Sequence, residues 1–123
     1  MALRTLEKGA EKLTGMYPKF EGIGDYVEGN FFELAEDDYG NERIVLWVGN
    51  DEETGEDKFQ WLPSAADLRK YYTQLEQGMW IKISLKKIIP SNNEQYNDKQ
   101  IFLVQADEDL DVTFGDDEEW AEN

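Results

Sequence analysis

Trp80-Ile-Lys-Ile-Ser-Leu-Lys86 alternates a ring and two cations with apolar residues. Period-two spacing puts Trp80, Lys82, Ser84 and Lys86 on one side of a strand and Met79, Ile81, Ile83 and Leu85 on the other. A flat ring beside primary amines can stack a base and hold a phosphate, and such stacking is worth about 1–3 kcal/mol per base. The competing reading has Trp80 packed beneath a helix or arm, with the lysines as ordinary solvated ends. An exposed tryptophan is uncommon in a monomer, which favours the first reading.

Other residues could share that chemistry. Trp47 is out of phase with Ile44, Leu46 and Val48, so it should leave the core. Phe59 and Trp61 lie on one face of their strand. One or both pack inward if that face is core; otherwise one of them joins Trp47 as a stacking platform. Tyr39 at a turn tip and Tyr96 in a late loop could clamp bases or simply be turn tyrosines. Arg43, Lys58, Lys82, Lys86, Lys87 and Lys99 all fall on or beside strands, whereas the acids gather in loops and at the C-terminus. Such segregation lets a local cationic stripe attract phosphate against an unfavourable net sign, weakly and at modest salt.

That net sign is strongly negative. The 123 residues carry a formal charge of −16, nine units of it in residues 107–123, which contain no base. Within that run sit Leu110, Val112, Phe114 and Trp120. A like-charge block cannot bury enough apolar surface to offset its ordering entropy, so a mobile tail is expected. Such a tail can occupy a cationic groove in place of a polyanion. It can also hook a basic, apolar-lined pocket on another protein through Phe114, Asp116, Asp117, Glu118, Glu119 and Trp120. In the competition case, removing the tail tightens binding of a polyanion.

Several chemistries lack their residues. There is no cysteine and no histidine, which removes disulfides, thiolate metal sites and the commonest general base. Asp51-Glu-Glu-Thr-Gly-Glu-Asp57 is too short and wrongly ordered for a calcium loop. Glu36-Asp37-Asp38 reads as solvated loop, and Gly22-Ile-Gly24 gives no phosphate-loop signal. No carboxylate pair can be placed across a cleft, so no catalytic residue, enzyme activity, metal or other cofactor is expected. No apolar run approaches the ~20 residues of a membrane span, and the N-terminus has no secretory stretch. A soluble protein of a reducing compartment is expected.

The elements that must position these side chains follow from periodicity. Leu3, Leu6, Ala10 and Leu13 suggest a short N-terminal helix or arm, broken by Gly15, Pro18, Gly22 and Gly24. Strands are expected over Tyr26–Leu34, Arg43–Val48, Lys58–Leu62, Met79–Lys87 and Lys99–Gln105, with Gly29 a bulge or bend. Pro63-Ser-Ala-Ala-Asp67 reads as a capped start for a helix over Ala65–Leu75, stopped at Gly78. Three strands, a helix and two more strands is the order of a mostly β, five-stranded Greek-key OB-fold barrel. The division is an arm at 1–23, a barrel at 24–106 and a disordered acidic tail at 107–123.

The segments Gly24-Asp-Tyr-Val-Glu-Gly-Asn-Phe-Phe, Tyr39-Gly-Asn, Phe59-Gln-Trp-Leu-Pro-Ser-Ala-Ala-Asp-Leu, Leu75-Glu-Gln-Gly-Met-Trp-Ile-Lys-Ile and Tyr96-Asn-Asp-Lys-Gln-Ile-Phe-Leu-Val carry a likeness. Over roughly residues 24–123 the chain resembles bacteriophage-type single-stranded DNA-binding proteins, small OB-fold proteins with an acidic tail. The resemblance implies sequence-tolerant binding of single-stranded DNA in replication or recombination. It also implies tail contacts with partner proteins of those processes and residence in a bacterial host cytoplasm; a homo-oligomer is compatible with it. The chain departs from the family in its acidic body and acidic loops. The rival expectation is an acidic interaction module, or a nucleic-acid mimic that blocks a host protein.

Overall fold

The computed structural model describes residues 10–92 and 98–114. Five strands form one antiparallel sheet: β1 (Tyr26–Glu36), β2 (Glu42–Asn50), β3 (Asp57–Trp61), β4 (Trp80–Ile89) and β5 (Lys99–Ala106). The order across the sheet is β3-β2-β1-β4-β5, with β3 and β5 as open edges. Alternation decides which face is core. Val27 and Phe31 on β1, Ile44 and Leu46 on β2, Ile81, Ile83 and Leu85 on β4, and Phe102 on β5 pack together with Phe20, Leu62 and Leu68. The sheet is thus mostly buried on one side, as period-two patterning requires.

β1 is shared between two partners. Tyr26–Asn30 pair with Ser84–Trp80 of β4, and Asn30–Glu36 pair with Trp47–Glu42 of β2. Before Asn30, over Tyr26–Gly29, β1 has no partner on β2 and a gap opens between the two strands. Gly29 is not the bulge that the sequence suggests. It stays in register with Ile81, and a Cβ there would lie 2.7 Å from the Trp47 carbonyl oxygen. Glycine is needed for that close approach. The register shift falls instead between Phe31 and Glu33, making Phe32 the extra residue.

An irregular arm crosses the gap. The Leu13 amide donates to the Tyr26 carbonyl and the Tyr26 amide to Glu11, each within 2.9 Å. Farther along, the buried Gln60 amide donates to the carbonyls of Leu13 and Gly15, both at 3.1 Å. The Trp61 amide donates to Met16 at 2.7 Å, on the edge of β3 that β2 leaves free. Buried Asp25 holds the arm's two ends. One carboxylate oxygen accepts from the Glu11 amide, the other from Glu21 and Gly22. Amide donors to a carboxylate are among the stronger hydrogen bonds. Ala10–Gly24 contain no helix; of the expected N-terminal helix, Leu3 and Leu6 lie outside the described residues.

The expected helix over Ala65–Leu75 is shorter. It comprises α1 (Ala66–Arg69) and a separate 3-10 turn at Tyr72–Gln74. Tyr71-Tyr72-Thr73 are weak helix formers, because ring and β-branched side chains lose rotamer freedom there. The Tyr72 hydroxyl also donates to the Glu42 carbonyl at 3.0 Å, tying the segment to β2. Ser64 does not cap the helix; its hydroxyl accepts from Arg69. Asp67 instead accepts the Phe102 amide at 2.8 Å and pairs with Lys70 at 3.0 Å, joining α1 to β5.

Residues 107–114 are not the start of a mobile tail. Asp107 caps a 3-10 turn at Glu108–Leu110 by accepting the Asp109 amide. The chain then runs back across the sheet, with the Val112 amide donating to Gly78 at 2.8 Å. Gly78 has φ +93, and a Cβ on it would collide with the Val112 carbonyl. Residues 107–114 therefore belong with the body, and residues 115–123 of the expected tail lie outside the described residues. Charge density alone suggests disorder, but the acids of this stretch remain exposed while its backbone and Phe114 bind the body. Among the described residues no helix is long and apolar enough to cross a membrane.

Candidate nucleic-acid interface

The non-core face carries a row of side chains across four strands. Trp80 on β4 pairs with Asn30 on β1, Asn30 with Trp47 on β2, and Trp47 with Phe59 on β3. Cross-strand partners share a face, so the four stand in line over about 15 Å, three strand spacings. All three rings are half-buried, neither interred nor scattered. Phe59 and Trp61 both point away from the core, because Gln60 and Leu62 take the inward positions of this segment. Gln60 is 4% exposed, and its arm contacts satisfy it. A buried polar residue between two aromatics reverses the usual inference about which face is core.

The row includes residues that sequence patterning did not select. Phe32, displaced by the bulge, brings its ring centroid to 4.9 Å from Phe59. The signal was present in the Phe31-Phe32 doublet, since inward Phe31 requires an outward neighbour. Asn30 is 7% exposed, and its side-chain amide donates to the carbonyls of Gly78 and Leu110, both at 3.0 Å. Trp47 donates through Nε1 to Asp57 at 3.1 Å, which fixes the indole's orientation.

The stretch 107–114 lies along this row. The Trp80 amide donates to the Asp111 carboxylate at 2.8 Å. Phe114 sits edge-on to Trp47, with centroids 5.7 Å apart, and to Phe32 at 5.5 Å. Edge-to-face contacts of this kind are favourable beyond simple burial. An acidic segment with a ring thus already lies on the aromatic row. The remaining hook residues, Asp116, Asp117, Glu118, Glu119 and Trp120, fall outside the described residues, as does Tyr96.

The cations divide into near and far groups. Lys82 stands two residues from Trp80, with Nζ 4.3 Å from the Tyr26 ring centroid. It faces Glu28 across the strands, and Glu28 also pairs with Lys12 of the arm at 3.1 Å. Lys58 adjoins Phe59. Lys86, Lys87 and Lys99 occupy the distant end of the β4–β5 ladder, where Lys87 pairs with Ile101 and Lys99 with Ile89. At ~3.3 Å per residue, Lys86 stands about 20 Å along the strand from Trp80. Arg43 donates to Asp37 at 2.7 Å. The Asn41 amide holds the Asp37 carboxyl below its ordinary value; burial opposes this, and Arg43 and the Tyr39 amide add to the lowering. Arg43 is therefore engaged in the β1–β2 turn.

Trp61 belongs to a separate patch. Its ring lies 6.4 Å from Tyr17, and both line a shallow crevice of about 240 Å³ with Tyr39, Arg43 and the acids Glu36, Asp37 and Asp38. Tyr39 is 87% exposed at the turn tip. Asp51 lies in the other acidic loop. The amides of Glu53 and Thr54 lower its carboxyl pKa, which marks a structural turn. Comparison of the chain with protein-family models, curated proteins and solved structures yields no match.

Proposed function

We propose that this protein binds single-stranded DNA on the non-core face of its sheet, without reading base edges, in replication or recombination. The observation that carries the reading is the Trp80–Asn30–Trp47–Phe59 row, flanked by Phe32 and Lys82. Rings at this spacing offer successive stacking platforms, and a primary amine beside them suits a phosphate. The strand order is what a five-stranded OB barrel gives when parted between β3 and β5, and the face of strands two and three, with adjacent loops, is the usual ligand surface of such barrels. The reading therefore includes an OB-type fold with the arm in place of full closure.

Residues 107–114 act as a competitor in this scheme. Phe114 stands where a base would stack, and the carboxylates of Asp107, Asp109 and Asp111 stand where phosphates would pass. Binding exchanges this segment for the strand. The acids beyond Phe114 are then free to meet a basic pocket on a partner protein of the same process.

Titration with oligo-dT tests the proposal through intrinsic tryptophan fluorescence. Quenching is expected in the wild type. Trp47→Ala should weaken affinity by roughly 5- to 100-fold, the loss of one stacked base. No quenching and no mobility shift at low salt would remove the proposal. The −16 charge would then favour the rival, an acidic module that imitates nucleic acid toward a host protein.

A further inference from the structure

Where β1 parts from β2, the gap forms a crevice of about 400 Å³. Lys12 to Met16 of the arm wall one side, and Val48 and Asp57–Gln60 wall the other, with Glu28 between them. Its surface is mainly apolar, from Leu13, Met16, Val48 and Phe59, and Lys12 and Lys58 both line it. Thr14 and the arm backbone add polar groups. Phe59 belongs both to this crevice and to the aromatic row. Among the described residues none beyond Gln60 lines the crevice, so residues 107–114 cover the row and not the crevice.

We infer that the crevice is a subsite for one nucleotide turned out of the bound strand, with its base inside and its phosphate between Lys12 and Lys58. The inference rests on the single-strand reading above and adds an entry point to it. Apolar walls with a few polar groups, within the usual size range of small-ligand sites, suit a flat heterocycle better than an extended peptide. The paired lysines supply the charge that a phosphodiester requires. The Lys12–Glu28 pair is exposed enough to exchange for a phosphate at little cost, since surface ion pairs are worth about 0–1 kcal/mol. A strand can therefore gain a first foothold before Phe114 leaves the row.

Two measurements on the full chain test this. In the first, Thr14→Trp narrows the crevice at an exposed arm position. Anisotropy with labelled oligo-dT should show about tenfold weaker binding, while Thr73→Trp, at an exposed position outside the crevice, should bind as wild type. Wild-type affinity in Thr14→Trp, together with a loss in Trp47→Ala, would overturn the crevice and leave the row standing. Absence of binding by the wild-type chain would remove both. The second measurement needs no variant. Titration of the ¹⁵N-labelled protein with dTMP should shift the amides of Thr14, Gly15 and Phe59 and leave Trp80 unmoved. Inorganic phosphate should reproduce only a fraction of those shifts. If phosphate reproduces them fully, or if dTMP moves none of them, no base enters and the inference fails.

Discussion

At the scale of single residues, several aspartates act as staples rather than as free surface charge. Asp25 gathers the ends of the arm, Asp57 steers Trp47, and Asp67 joins α1 to β5. The Asp67 side chain is 8% exposed. Burial raises its pKa, but the Phe102 amide and Lys70 outweigh burial, and the net shift is downward from 3.8. A lowered folded-state pKa means that the stabilisation is complete above the unfolded value and fades as pH falls through the folded one. Asp67→Asn should therefore lower the urea midpoint at pH 7 and at pH 5 alike. The gap to wild type should begin to narrow only near pH 3.8, where the unfolded chain starts to take up the proton, and should close as pH falls through the lower folded-state value. Equilibrium urea melts across that range, monitored by circular dichroism, make the comparison. A gap that closes already between pH 7 and 5 would show that the carboxylate is not the source.

At the scale of elements, the segment 107–114 belongs to the sheet, and truncations should separate it from the residues beyond. A chain ending at Phe114 keeps the ring on Trp47 and the backbone contacts at Gly78 and Asn30. A chain ending at Ala106 loses all of these. Oligo-dT should bind the Ala106 form several-fold more tightly than the Phe114 form, and the Phe114 form no more weakly than the full chain. The Ala106 form should also unfold at lower temperature, because Asn30 and Gly78 lose their partners. Equal affinity for the two truncations would show that Phe114 does not compete. Strand positions and the inward sets on β2 and β4 were legible in the sequence, because two-residue alternation is a local signal. The fate of residues 107–114 was not. Their order depends on Gly78 and Asn30, remote in sequence, and composition averages such contacts away. Among the candidate site residues, Trp47 and Trp80 were legible from phase alone. The outward placement of both Phe59 and Trp61 depended on a buried glutamine whose partners come from a distant arm. The grouping of Lys82 with Tyr26, apart from Lys86, Lys87 and Lys99, depended on strand length and cross-strand register.

At the scale of the whole molecule, an anionic body must bring a polyanion onto a face with few free cations. Repulsion from the −16 total acts over the ~10 Å Debye length at 0.1 M salt, whereas phosphate contacts act at touching distance. With Lys12, Lys58 and Lys82 as the available amines, roughly three phosphates are neutralised, and the plot of log affinity against log salt should have a slope near −2. Anisotropy measured between about 50 and 300 mM salt provides that slope. A slope steeper than about −5 would mean that more cations take part, including the distant Lys86–Lys87–Lys99 group. Ring stacking then supplies most of the remaining affinity, and replacing Trp47 should cost more than replacing any one lysine.

The displaced Phe32 has one further effect on β1. Before it, odd-numbered residues Val27, Gly29 and Phe31 look inward; after it, Leu34 does, opposite Ile44. The extra residue works as a half-step in the strand's numbering: β2 runs on from Leu46 to Val45 with no counterpart for it. Excising that single phenylalanine would leave Glu33 outward beside Val45 and Leu34 inward beside Ile44, so it would straighten β1 and remove only the ring that meets Phe59 and Phe114. A change of one codon's length would thus take away a bend and a ring together while every other side chain of β1 kept its face.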